Sequence, residues 1–289
     1  MSLLAVEVAK FASSLRSLPD SALRQDWSGS PGEPGWQDYA DNLSDISFSI
    51  YQKLRAFTVA VSAQRATEGP RMTETQRILA QHQLAYRDFH GVLAGGRDEE
   101  LDLTPFEGKW SLRSNIAHLT LAECWSQGPQ VRHAVHLYRR GLEPASMARA
   151  SVADDEIPPD YGSLSELLAR FDSCHDKLIH EFAEISDEEL DAPSVYWEDE
   201  PVSIRFRLYR FAWHIRSHTM QADRIRIALG HRLTDMDRFG RLLYSALGDA
   251  EGALIGAGES QRELERDLIA SINARASELI TTALSSENA

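Results

Sequence analysis

The chain has 289 residues and a formal charge of −14, from 30 Lys and Arg against 44 Asp and Glu. That length suffices for the core of one large or two small domains, and the charge sets the protein against a phosphate backbone unless basic residues gather locally, which they do not. With 43% apolar and 26% charged residues, and no apolar run near the eighteen or so residues needed to span a bilayer, the composition is that of a globular protein with neither nucleic-acid nor membrane partners. Residues Met1 to Phe11 carry Glu7 among short apolar pairs and lack a basic region followed by a long hydrophobic stretch, so a cytoplasmic location is expected. Cys124 and Cys174, the two cysteines of the chain, each sit inside a helical pattern and are expected as reduced thiols.

Helix punctuation divides the chain into eight predicted helices: 2–17, 36–67, 73–94, 111–140, 163–185, 202–230, 234–255 and 260–284. Starts are signalled by Thr73 with Gln76, Ser163 with Glu166, Thr234 with Asp237 and Ser260 with Glu263, pairs that satisfy the orphan amides of a first turn reciprocally. Ser2, the stretch after Trp36, Ser111 after Trp110, and Pro201 mark the others. Stops fall at Gly95-Gly96, Gly141 and Gly230. No alternating β-branched run of useful length lies between turn signals, so the class is all-α. Residues 73–230 hold four long helices joined by 95–110, 141–162 and the acidic 186–200, the pattern of a four-helix bundle with long crossings. Residues 1–70 read as an added N-terminal helical hairpin, and 231–289 as a C-terminal helical extension.

Ten histidines are present, and spacing chooses among them. His214 and His218 are four residues apart, which on a helix places both imidazoles on one face, about 6 Å apart at Cβ. Their stripe, Phe211, His214, His218, Gln221 or Ala222, Ile225 and Leu229, is the one that ought to face neighbouring helices. His118, early in helix 111–140, lies on an inward stripe with Ala122 and Trp125. Three such ligands leave coordination positions open on a metal ion, which distinguishes a catalytic or substrate-binding site from a closed structural one. Ile215 stands where zinc proteases carry their glutamate, so that chemistry is excluded. His133 and His136 lie roughly 20 to 27 Å beyond His118 at 1.5 Å per residue, too far to join. His82, His90, His175, His180 and His231 show no convergent spacing and read as ordinary packing or surface residues.

The segment Trp110-Ser-Leu-Arg-Ser-Asn-Ile-Ala-His118-Leu, followed about a hundred residues later by Trp213-His214-Ile-Arg-Ser-His218-Thr-Met-Gln221, resembles the DinB/YfiT-like superfamily of metal-binding four-helix bundles. The resemblance covers about 73–230. It implies a divalent ion, zinc or nickel, at the bundle's mouth, held by His118, His214 and His218. Through the family's transferases and isomerases it also implies a low-molecular-weight thiol cofactor such as mycothiol or bacillithiol; other members are hydrolases, and the family alone does not specify a reaction.

Three neutral imidazoles leave the ion its full charge, so a bound water is acidified or a thiol deprotonated. Gln221, three residues after His218, is placed to hydrogen-bond a ligand imidazole or a metal-bound water. Glu123, five residues after His118 and roughly 140° around the helix, reads either as a base at the rim or as a solvated or paired surface acid. Trp125 and Trp213 flank ligand positions as pocket walls or as core, and Cys124 reads as a small core residue. Two classes of function stay open: a metal-dependent enzyme acting on a small molecule, by thiol transfer or by hydrolysis, and a non-catalytic metal-stabilised module for homodimerisation or ligand sensing.

Overall fold

The computed structural model describes residues 2–24, 43–142, 160–195 and 201–286. Its helices begin where side chains can replace the missing partners of the first-turn amides. Ser2 accepts from the amide of Ala5 at the start of α1 (Leu3–Arg16). Thr73 with Gln76, Ser163 with Glu166 and Thr234 with Asp237 form the reciprocal boxes at α3 (Glu74–Leu93), α6 (Leu164–Phe182) and α8 (Asp235–Leu254). Ser111 caps α4 (Leu112–Leu121) and Ser203 caps α7 (Ile204–Ala228). The remaining helices are α2 (Leu43–Glu68), α5 (Gln127–Arg139) and α9 (Glu259–Ser286). Gly95, Gly141 and Gly230 all take the positive φ that follows a helix end.

Four expectations need correction. Ser260 does not open the last helix: α9 starts one residue before it, and the Gly258 amide is satisfied by Gln261 Oε1 at 2.9 Å. Pro201 does not begin a helix. It lies in β2 (Pro201–Ser203), which pairs antiparallel with β1 (Pro193–Val195) in the register Pro193 to Ser203; three-residue strands are too short to show alternation. The helix expected over 111–140 is interrupted by a π turn at Ala122–Ser126 between α4 and α5. Gly128 and Pro129 permit it: a Cβ at Gly128 would stand 1.9 Å from the Glu123 carbonyl oxygen, and Pro129 has no amide hydrogen to continue the regular ladder. Lastly, Cys124 and Cys174 are joined in a disulfide, with Cα atoms 5.8 Å apart, an ordinary span for such a bond. Helix α6 returns alongside the π turn and brings the two together, which the helical pattern of each segment alone does not reveal. The first part of the helix expected over 36–67, with Trp36, lies outside the described residues.

Helices α3, α4 with α5, α6 and α7 enclose two apolar clusters. One contains Ile78, Leu79, Val131, Leu178, Phe182, Leu208 and Phe211; the other contains Tyr86, Phe89, Ile116, Leu119, Phe171 and Ile215. A third cluster joins both ends of the sequence: Leu4, Val8 and Phe11 of α1 and Leu54 and Val61 of α2 pack with Leu243 and Leu247 of α8 and Ile272 of α9. The hairpin before the bundle and the extension after it therefore share one core. Arg65 fastens this arrangement, its buried guanidinium donating to the carbonyls of Pro70, Ala253 and Ile255 and to Gln76 Oε1.

The two units meet along α3 and α8, and small residues set their distance. A Cβ on Gly248 would lie 2.9 Å from Leu84 Cα, and one on Gly252 3.0 Å from Ala80 Cβ. Backbone, unlike a long side chain, cannot swing aside. Gly248→Val should therefore destabilise the protein by about 1–3 kcal/mol through overpacking, measured by urea denaturation; an unchanged midpoint would show that the helices can part freely. No helix among the described residues is long and apolar enough to cross a membrane.

Candidate metal centre

Trp110-Ser-Leu-Arg113 builds the entry to the site. Ser111 Oγ accepts from the Ser114 amide to start α4. Arg113 donates to both carboxylate oxygens of Asp102 and to the carbonyls of Asp160 and Gly162, so one guanidinium pins two crossing segments to the first turn. One turn further, His118 faces α7, where His214 and His218 stand on successive turns. The three imidazoles converge: each offers a ring nitrogen within 4.8 Å of the others, and His118 Nε2 lies 2.9 Å from His214 Nε2. With Zn–N bonds of about 2.0–2.1 Å, neighbouring ligand nitrogens stand roughly 3 Å apart, so the donor set fits a divalent ion.

Asn115 was not singled out in the sequence, and the structure gives it a defined task. Its Nδ2 donates to the Ser111 carbonyl at 2.8 Å, which turns Oδ1 toward His218 Nδ1 at 2.7 Å. His218 must then carry its proton on Nδ1 and present the Nε2 lone pair to the site. The signal was available, since Asn115 precedes His118 by three residues and shares its face. Trp110 lies over both rings, with centroids 5.4 Å from His218 in near-parallel stacking and 4.6 Å from His118.

Burial pushes all three imidazoles toward the neutral form. His214 is lowered to about 3 by burial, with His218 and His118 adding to the effect. His218 is lowered to about 4 by burial and His118, against a hydrogen bond to Gln221 that raises it; burial lowers His118 as well. In the metal-free protein the unfolded chain, with histidine near 6.5, therefore binds more protons than the folded one below that pH, and stability rises with pH across the window. Acidification from pH 7 to 4.5 should progressively lower the urea midpoint of the metal-free chain, and the His214→Ala/His218→Ala variant should show a shallower decline. Equal slopes would mean that these imidazoles do not titrate as placed.

The remaining sequence-predicted residues separate. Gln221 lines the cleft that opens at His218, a cavity of about 710 Å³ that also includes Phe106, Lys109, Trp110 and Arg224. Trp213 instead points outward, 56% exposed, with the Arg210 guanidinium 4.0 Å above its ring. Trp125 is half-buried in the π turn and does not line that cleft. His133 and His136 are exposed. Glu123 is neither at the rim nor on the surface. It is 2% exposed and stands between His82 Nε2 at 2.8 Å and His175 Nδ1 at 3.1 Å. Burial would raise its pKa, but His175 and His82 outweigh that and hold it at about 2. His82 and His175, expected to be ordinary, thus form a second group of potential ligands with Glu123.

A helical bundle carrying three converging imidazoles on two facing helices, beside an open cleft, defines a site whose donor set could hold a metal ion. The DinB superfamily model matches residues 81–222, which contain His118, His214 and His218, so it is this bundle, just under half of the chain, that is similar to the DinB superfamily. No curated protein and no solved structure matches the chain.

Proposed function

We propose that the chain is a metal-dependent enzyme acting on a small molecule, with the ion held by His118, His214 and His218, and that its reaction is a thiol-dependent transfer or isomerisation. The observation that carries this reading is the convergence of the three imidazoles beside a cleft of about 710 Å³, which leaves room for a substrate on the open side of the ligand set. A divalent ion of the zinc or nickel kind supplies Lewis acidity there, enough to ionise a thiol such as mycothiol or bacillithiol, or a water.

The chain's own groups do the rest. Asn115 fixes the tautomer of His218, Trp110 walls the site against bulk water, and Gln221, hydrogen-bonded to His218, offers its amide to an incoming polar group. Lys109 and Arg224, against the single carboxylate of Glu107 in the cleft lining, favour a substrate that bears an acidic group. Metal-assisted hydrolysis is the second reading, supported by the same Gln221 amide as a holder for the attacking water.

The test is to incubate metal-loaded protein with mycothiol, bacillithiol or glutathione and electrophilic acceptors, comparing wild type with His214→Ala. Thiol-dependent turnover lost in the variant is the expected result. Turnover that needs metal but no thiol selects the hydrolase; none with any thiol or ester overturns the enzyme reading in favour of a non-catalytic module.

A further inference from the structure

We infer that His82, Glu123 and His175 form a second metal centre, inside the bundle, for a divalent transition ion of the zinc or iron(II) type. The three residues come from three elements, α3, the π turn and α6, and are 0%, 2% and 0% exposed. Their donor atoms lie within 4.8 Å of one another. Glu123 Oε1 is 2.8 Å from His82 Nε2, and the Glu123 oxygens are 3.1 and 3.4 Å from His175 Nδ1. Such spacings suit ligands that share an ion with bonds of about 2.0–2.2 Å. Two imidazoles and one carboxylate are a donor set that zinc and non-haem iron(II) both accept.

Proton positions make the case stronger than proximity does. Arg87 donates to both oxygens of Glu251, which also accepts from Ser2 Oγ, so Glu251 has only acceptors to offer. The Gln83 group facing it at 2.7 Å must be its NH₂. Gln83 Oε1 then faces His175 Nε2 at 2.8 Å and requires a hydrogen there. In a neutral His175 that leaves the Nδ1 lone pair pointing at a carboxylate at 3.1 Å. Either a second ring proton or a metal ion completes the contact.

A proton on Nδ1 joins His175 to Glu123 only, whereas a metal ion bonds all three donors together. The tautomer of His82 is free to comply, because its Nδ1 has no hydrogen-bond partner among the described residues. The rings are also held in place, Tyr86 stacked on His175 with centroids 3.7 Å apart and Phe211 on His82 at 5.2 Å.

The pattern repeats that of the bundle mouth. There, a histidine N–H donates to the Asn115 carbonyl, whose amide is anchored on Ser111. Here a histidine N–H donates to the Gln83 carbonyl, whose amide is anchored on Glu251. Backing of a ligand imidazole by an oriented acceptor is how proteins fix metal-binding histidines. The π turn, which carries Glu123 into the core, and the Cys124–Cys174 bridge, whose cysteines adjoin Glu123 and His175 in sequence, hold two of the three donors against each other.

Zinc content reads the proposal. Because the site is buried, the full chain is refolded from denaturant with Zn²⁺, desalted and analysed by elemental mass spectrometry. Wild type should hold two equivalents and His214→Ala/His218→Ala one, a variant that leaves the buried cluster intact. Adding Glu123→Gln to that variant should remove the last equivalent, with far-UV circular dichroism confirming the fold; if that third change prevents folding, Co²⁺ loading of the double variant replaces it, the expected result being a visible absorption band. A folded His214→Ala/His218→Ala protein with no bound zinc, and with ¹⁵N shifts showing both nitrogens of His175 protonated, would overturn the inference in favour of a buried imidazolium. Retention of both equivalents in that variant would instead count against the mouth site, so the two failures are distinct.

Discussion

Alanine at His218 is expected to abolish tight binding of a divalent ion at the bundle mouth, while His231→Ala leaves it intact. The substitution removes one of the three proposed ligands and also strands Asn115 Oδ1, which the imidazole satisfies at 2.7 Å inside the protein. Loss of a supporting hydrogen bond behind a ligand costs about 10–100-fold in metal affinity, and loss of the ligand itself should exceed that. His231 lies past the helix stop at Gly230 and faces Arg226 at 3.3 Å and Asp237 at 3.7 Å, away from the three imidazoles. A chelator competition on wild type and both variants reads the difference; equal losses at the two positions would contradict the ligand assignment.

The second large effect concerns stability. Arg87→Leu should destabilise the protein by about 3–5 kcal/mol, because it leaves the Glu251 carboxylate buried between α3 and α8 without its bidentate partner. At roughly 2–4 °C per kcal/mol for a chain of this order of size, melting should fall by roughly 6–20 °C. The double variant Arg87→Leu/Glu251→Leu should recover much of the loss, since apolar replacement of both partners removes the uncompensated charge. Melting of the double variant at or below that of Arg87→Leu would show that the pair contributes more than relief of its own desolvation.

How much of this was legible in the sequence depended on whether the controlling interaction was local. Thr73, Ser163 and Thr234 cap their helices by accepting from an amide three residues on, and their effect is visible in any four-residue window. His214 and His218 are read equally well, because helix geometry alone places them together. His118 was reachable through its inward stripe and through the resemblance that residues 81–222 bear out. The π turn escaped although Pro129 stands within the expected helix, because a proline more often ends a helix than widens it. The grouping of His82, Glu123 and His175 escaped for a different reason. Each lies on a separate element, and only the pairing of Cys124 with Cys174, neighbours of two of the three, would have drawn them together. That the first and last segments share a core was likewise beyond any local pattern, since apolar stripes on α1, α2, α8 and α9 do not name their partners.

That shared core also fixes an order of assembly. Helices α1 and α2 are synthesised first, yet the apolar surface they present is covered by α8 and α9, some two hundred residues later in the chain. The bundle between them is complete once α7 has been made, so it can close while the opening hairpin still waits for its partners. Contacts of such sequence separation are reached late, because the loop entropy must be spent before they form. Until α8 and α9 are made, the stripe of Leu4, Val8, Phe11 and Leu54 lacks the helices that cover it in the folded chain, and exposed apolar surface of that kind is what makes incompletely folded chains prone to aggregate.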